Sequence, residues 1–513
     1  MKKYIKLLFV FTLLFYTTSC KLHEEPPFLL ESDVFSNVDY SKTALNGAYK
    51  ALAAYNNYGM TAQVLFNGFS GLFTQRMSGA QLFDPINQNL YSLKPQSNSK
   101  EVEYVWLDTY KAIGRANDII ANLKEIQNPV SSDDRTLNDI LGEAYFIRAF
   151  EYFNLVQLWG EVPLRLEPMT TKNVHMPVSP VADIYEQIIS DAQKAAHLVF
   201  PKRTQSRGYP GAEAAHMLLA KIYMTLAGNK TAAETEYWQL AYDEAIQVYG
   251  KYELVDFAKL WSDEDGDNCA ENIFELQYNL TNASSSMKLY TPNGATKANT
   301  WGRFFINVDV FDEHVATYGD PNYLNHPDKR INQTYRSMWI NVQKVPLRTQ
   351  KCYPLIARKN FMTSYPVTYK YWSKNVNIIT DINEKNFIVY RYADLLLMLA
   401  EISNELQNGE ETGYVTEVLT RAGVAPQPQY GEGQDGFREA IMKEYIFELI
   451  GEGHDPFYNR RRGFDWFKSH VIDKHNNYEK WDPKLDTKLA EDEETAMHIP
   501  IPSTEINTNQ DIN

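Results

Sequence analysis

The stretch GEAYFIRAFEYFNLVQLWGEVPL, residues 142–164, decides how the rest of the chain is read. Together with the residues before it, it runs through Leu137, Leu141, Tyr145, Arg148, Tyr152, Leu155 and Trp159 at spacings of three and four. That is the repeat of one helical face. Phe146, Phe150 and Phe153 fall off this line, so rings stand nearly all round the helix. A helix that is apolar all round is buried between others, or turns some rings toward a ligand. Asp133 or Asp134 is placed to cap its start. Gly160 supplies the stop at its end, and Pro163 forbids continuation.

Outward from this helix the same texture recurs. Ser41 reads as the N-cap of SKTALNGAYKALAAYNN (41–57), with Leu45, Tyr49 and Leu52 on one side. Further helices are expected over 101–126, 180–199, 212–227, 236–249, 390–407 and 435–452. Helix pairs that recur about every 30–45 residues suggest tetratricopeptide-like packing, although the repeat consensus is poor. Each such pair leaves an apolar face that only its neighbour can cover. Residues 60–100 read as a long loop. From 250 to 385 periodicity is lost while Trp and Tyr persist, apart from one short strand at NIFELQYN (272–279). The predicted fold is all-α, with tetratricopeptide-like helical repeats overlaid by a loop-rich region with a few short strands. The expected segments are a signal peptide (1–19), a lipidated tether (20–40), a helical region (41–255), a loop-rich region (256–385) and a C-terminal helical region (386–513). The first and last helical regions are expected to pack as one globular unit.

The chain has 513 residues, 44% of them hydrophobic, which supports a sizeable core. Its formal net charge of −15 argues against nucleic-acid partners, which need a basic field. The basic run NRRRGF (459–464) reads as a helix-end charge cluster. The opening MKKYIKLLFVFTLLFYTTSC has a basic start and an apolar run from Leu7 to Tyr16. That run is too short to span a bilayer and fits a secretory signal peptide. Cys20 after TTS resembles the lipidation site of a bacterial lipobox, with Thr17 departing from the usual Leu. Several acyl chains on Cys20 would anchor the chain to a membrane. Cys269 and Cys352 could pair, but two cysteines define no framework, and the unpaired reading is preferred.

Motifs for chemistry are sparse. SDEDGDN (262–268) places Asp263, Asp265 and Asp267 at alternate positions, yet Gly266 falls at the fourth position where a calcium loop needs it at the sixth. It reads as a solvated acidic turn, so calcium lacks support and no cofactor is expected. His314, His326 and His454 are scattered, without zinc spacing. No nucleophile elbow, Walker loop or dinucleotide fingerprint occurs. Glu444, Glu448 and Glu452 share one helix face, read as an ion-pairing row with Lys443 or Arg438 as partners. A glycosidase needs two carboxylates about 5–10 Å apart across a cleft. The sequence therefore gives no positive support for an enzyme.

Several stretches together resemble the SusD/RagB family of outer-membrane nutrient-binding lipoproteins. Arg148, Ala149, Tyr152, Phe153, Leu155, Val156, Trp159, Gly160, Val162, Pro163 and Leu164 match its signature helix in place. YRYADLLLMLAE (390–401), IMKEYIFELIGEGHDPFYNRRR (441–462) and IPIPSTEINTNQDI (499–512) resemble its later motifs in the expected order. Tyr445 stands where Arg is usual, and the match loosens from His454. The resemblance implies a tetratricopeptide-like frame, an outer-membrane and cell-surface location, and capture of oligosaccharides or, in some members, peptides. It also implies a SusC-like TonB-dependent transporter as partner, and no catalysis. Most rings of the 142–159 helix then belong to the scaffold.

Sugar C–H faces lie flat on aromatic rings, leaving hydroxyls to polar side chains. Loop rings can do this, so the ligand-binding candidates are Phe83, Tyr91, Tyr290, Trp301, Trp339, Tyr371 and Trp372. Their polar neighbours are Asp84, Asn87, Asn89, Asn299 and Arg303. Trp301 leads, because Gly302 and its polar surroundings suggest an exposed turn. Peptide capture would rely on backbone hydrogen bonds instead.

Overall fold

The structure is a computed structural model. It describes residues 35, 37–74, 89–201, 208–279, 290–298, 300–302, 304–319, 322–359, 363–372 and 384–512. The principal helices are α1 (Val38–Leu52), α2 (Thr61–Gly68), α3 (Lys100–Asn122), α4 (Ser132–Trp159), α5 (Val181–Leu198), α6 (Ala212–Ala227), α7 (Tyr237–Ala245), α8 (Val308–Thr317), α9 (Tyr392–Leu406), α10 (Glu411–Ala422) and α11 (Gly433–Leu449). The helical frame is a stack in which each member covers the last. α1 packs on α3 and α4, α3 on α4, α4 on α5, α5 on α6, α6 on α7, α7 on α9, and α9 on α10 and α11.

α4 is the centre of this stack. Its start is a capping box: the Ser131 side chain accepts from the Asp134 N–H, and the Asp134 carboxylate accepts from the Ser131 N–H. The cap is thus Ser131, with Asp134 as its third-position partner. Gly160 ends the helix at φ 72°, a conformation that a Cβ disfavours. Phe146 meets Phe274 edge-on at 5.3 Å, and Phe150 meets Tyr390 at 6.2 Å. The rings on α4 therefore grip strands as well as helices. The Arg148 guanidinium donates to both Asp191 oxygens (2.7 and 2.8 Å) and to Asn117 (2.9 Å), tying α3, α4 and α5 together.

Three sequence expectations need correction. α1 starts at Val38, capped by Asn37, whose side chain accepts from the Tyr40 N–H at 3.0 Å; Ser41 lies inside the first turn. The 60–100 segment is not all loop. TAQVLFNG forms α2 with every residue buried, because eight residues are too few to establish a period but enough to fill a slot beside α3. Residues Phe387–Arg391 form a strand, not the first turn of a helix. They pair antiparallel with Asn272–Leu276, placing Phe274 opposite Tyr390 and Glu275 opposite Ile388. That edge satisfies backbone groups that a helix start would leave free.

The strands are β1 (Phe73–Thr74), β2 (Asn272–Leu276), β3 (Phe305–Ile306), β4 (Tyr335–Arg336), β5 (Met338–Asn341), β6 (Arg348–Lys351), β7 (Val367–Thr368) and β8 (Phe387–Arg391). They form a small sheet of order β1-β3-β7-β4, the β2-β8 pair and the β5-β6 hairpin. The loop-rich region is bolted to the frame by buried charge. Arg330 pairs with Glu444 and Glu448, Arg391 with Glu448 and Glu452 (both 2.6 Å), and Lys370 with Glu452 (2.6 Å). Arg421 joins Glu448 and Glu271. The glutamate row is thus an ion-pairing face, but its partners arrive from distant segments. Lys443 and Arg438 pair elsewhere, with Glu313 (4.0 Å) and Glu405 (2.7 Å). Burial works against the Glu448 charge, but Arg421, Arg391 and Arg330 outweigh it and hold its pKa at about 2. In NRRRGF, Arg461 and Arg462 pair with Glu401, and Arg460 lies between the Phe69 and Phe467 rings at 4.0 and 4.1 Å.

Candidate ligand-binding site

A cleft of about 650 Å³ opens along α8. One wall is α8 itself, where Asp309, Asp312, Glu313 and Ala316 recur at helical spacing. The opposite wall is Tyr353–Pro354, just beyond β6, and Lys474 to Lys480. Phe311 and Tyr323 line it as well.

Asp312 organises the cleft. The Tyr353 hydroxyl donates to it at 2.8 Å, the Tyr478 hydroxyl at 2.5 Å and the Lys480 ammonium at 2.7 Å. These donors reach it from segments 41, 166 and 168 residues away. Burial, then the hydrogen bond to Asp312, pushes the Tyr353 hydroxyl up to about 12, so it stays a donor at neutral pH. The bond to Asp312 likewise raises the Lys480 pKa and keeps its charge. Tyr353 is fixed from its backbone side too: Ser337 donates to its carbonyl at 2.6 Å, and its N–H donates to Thr363 at 2.9 Å.

The neighbouring acids are paired as well. Asp309 meets His475 Nδ1 at 2.8 Å, while His475 Nε2 meets the Thr487 carbonyl at 3.1 Å. Both partners are acceptors, an arrangement that suits an imidazole donating from both ring nitrogens and so favours its charged form. Burial opposes that charge, but Asp309 outweighs it and leaves the pKa above the ordinary imidazole value. Glu313 pairs with Lys474.

Beside the cleft stands a group of rings. Trp372 meets Trp339 at 6.1 Å and Tyr369 at 5.0 Å, both edge-on, and the Arg336 guanidinium lies 3.6 Å over Tyr369. Trp339, Trp372, Tyr353 and Tyr478 all pack round one satellite core with Phe305, Val308, Cys352, Tyr365 and Val367. This group of rings and the cleft therefore share a foundation.

The sequence candidates separate on burial. Tyr91, Tyr290 and Tyr371 are 1%, 0% and 0% exposed, so their ring faces are spent on the core. Tyr290 packs on Phe304 (4.7 Å) and Tyr371 (5.3 Å), and Tyr371 on Trp261 (5.0 Å); these rings pin their loops to the frame. Trp301, Trp372 and Asn89 are half-buried, and Trp339 keeps 8% of its surface. At Gly302 (φ +53°) an added Cβ would lie 2.6 Å from Pro292 Cα, so the turn after Trp301 requires glycine. Phe83, Asp84, Asn87, Asn299, Arg303 and Cys20 lie outside the described residues. Tyr353, Tyr478, Asp312 and Lys480 were not among the candidates. The local signals are a tyrosine before proline in KCYPL and a tyrosine beside acid and lysine in NNYEKW, and neither says that they meet.

Among the described residues no group of three His, Cys, Asp or Glu side chains is gathered as a metal would require. Asp263 lies 3.6 Å from Lys385, and Asp267 accepts from the Asn386 N–H. Cys269 and Cys352 are both free. No described helix is long and apolar enough to cross a membrane.

Fold and cleft together define a tetratricopeptide-like helical protein that carries a tyrosine-lined cleft on a loop-rich flank. Residues 270–513 match the model of the SusD family, and residues 30–224 match a model described as "Starch-binding associating with outer membrane". SusD-like protein P25 of Formosa agariphila is 25% identical over 536 residues, covering 97% of this chain and 95% of that protein. A SusD homolog from Bacteroides thetaiotaomicron superposes with a TM-score of 0.74 at 21% identity, covering 94% and 97% of the two chains. Surface glycan-binding protein A from Bacteroides thetaiotaomicron, solved in complex with laminarihexaose, superposes with a TM-score of 0.70 at 18% identity, covering 92% and 98%. The chain belongs to the SusD-like family.

Proposed function

We propose that this protein is a cell-surface lipoprotein, anchored in the outer membrane through Cys20, that binds oligosaccharides in the α8 cleft. It delivers them to a SusC-like TonB-dependent transporter and performs no catalysis, and binding needs no cofactor. The single observation that carries the binding step is the convergence of Tyr353, Tyr478 and Lys480 on Asp312. It holds two half-buried rings and a cation in fixed places, where sugar faces can rest and hydroxyls find donors and acceptors. The family description and the laminarihexaose-bound neighbour favour the same reading.

The test is calorimetry on the full chain with panels of neutral oligosaccharides and of peptides, repeated on Tyr353→Ala. Loss of one stacking ring should weaken glycan binding by roughly tenfold, about 1–1.5 kcal/mol. Binding of peptides alone, or an unchanged affinity in Tyr353→Ala, would defeat the assignment. Product analysis after long incubation checks for hydrolysis.

A further inference from the structure

We infer that the α8 cleft selects uncharged oligosaccharides and turns away polyanionic ones, such as uronate or sulfated chains. This rests on the glycan-binding reading above and adds the class of sugar.

The argument is one of charge and of donors already spent. The lining carries Asp309, Asp312, Glu313 and Glu479 against Lys474 and Lys480. Both lysines are committed: Lys474 to Glu313, and Lys480 to Asp312 at 2.7 Å. Among the described residues that line the cleft there is no arginine, so these walls offer no planar fork to grip a carboxylate or sulfate through two parallel hydrogen bonds. The nearby Arg336 is stacked on Tyr369, and Arg358 pairs with Asp486 at 2.6 Å. An incoming anion would have to break one of these pairs, or that of Asp309 with His475, while facing the carboxylate of Glu479, on a chain of net charge −15. The field of the whole molecule adds to that local repulsion. A neutral sugar meets none of this. Its hydroxyls can donate to the remaining lone pairs of Glu313, and its C–H faces can rest on Tyr353 and Tyr478.

The test is calorimetry on the full chain at low and at high salt. The probes are neutral glucan hexasaccharides of several linkages, including laminarihexaose, and an oligoglucuronate and a sulfated glucan of the same length. At least one neutral hexasaccharide should bind, with an affinity nearly independent of salt. Both anionic probes should bind at least tenfold more weakly than that neutral ligand at low salt. Glu479→Lys removes one negative charge and adds one positive. For a carboxylate about 7 Å away in water, this should raise oligoglucuronate affinity relative to the neutral ligand by roughly five- to tenfold at low salt. The inference is overturned if an anionic probe binds as well as the best neutral one, or if Glu479→Lys leaves the ratio unchanged. Should no sugar of either kind bind, the glycan reading itself fails; binding of anionic sugars alone spares that reading and refutes only the selectivity.

Discussion

Glu151 offers the sharpest test of how α4 is packed. Its side chain is fully buried. One oxygen accepts from Asn57 Nδ2 at 2.8 Å, and the other has no hydrogen-bond partner among the described residues. Burial outweighs the hydrogen bonds and pushes its pKa from 4.5 up to about 8. Well below pH 4.5, the carboxyl is protonated in the folded and unfolded chains alike, so it adds no pH dependence. Between 4.5 and 8 the unfolded chain ionises while the folded chain keeps its proton. Each pH unit across that window removes about 1.4 kcal/mol of stability, roughly 5 kcal/mol in all, and the loss levels off above pH 8. Glu151→Gln keeps the shape and the acceptor for Asn57 but cannot ionise. The variant should match the wild type near pH 4.5 and exceed it progressively up to pH 8. For a chain of this length the gain corresponds to roughly 4–5 °C in melting temperature. Scanning calorimetry of both proteins from pH 4.5 to 9 measures it. Two curves separated by a constant offset, or a wild type that gains on the variant as pH rises, would refute the reasoning.

Other outcomes follow from the same structure. Glu448→Ala takes a buried acceptor from Arg330, Arg391 and Arg421, and should lower stability by about 3–5 kcal/mol in denaturant unfolding. Arg438→Ala, which removes a more exposed arginine, should lower it less, and equal effects would contradict the bolting of the loop region by buried charge. The His475–Asp309 pair should stabilise the fold below the ordinary imidazole pKa and lose that contribution as pH rises through the raised value. The stability difference between the wild type and His475→Gln should therefore shrink from pH 6 toward pH 9; a difference that grows with pH would show the imidazole to be neutral.

The helical frame is largely legible in the sequence because its signals are local. Period, caps and stops place α4, α5 and α6 within a residue or two, and Gly160 marks its turn by being the residue that the backbone needs there. α2 escapes because eight residues carry too little periodicity, and β8 because its pairing with β2 is decided across more than a hundred residues. The same limit governs the site. Sequence marks which segments are rich in rings, and it marks the carboxylate row from Glu444 to Glu452. It does not say that Tyr290 and Tyr371 turn inward while Tyr353 and Tyr478 meet on Asp312, nor that Arg330, Arg391 and Lys370 neutralise that row. A ring's chemistry is the same in core and cleft, and only the three-dimensional path of the chain decides which of its faces meets protein and which meets water.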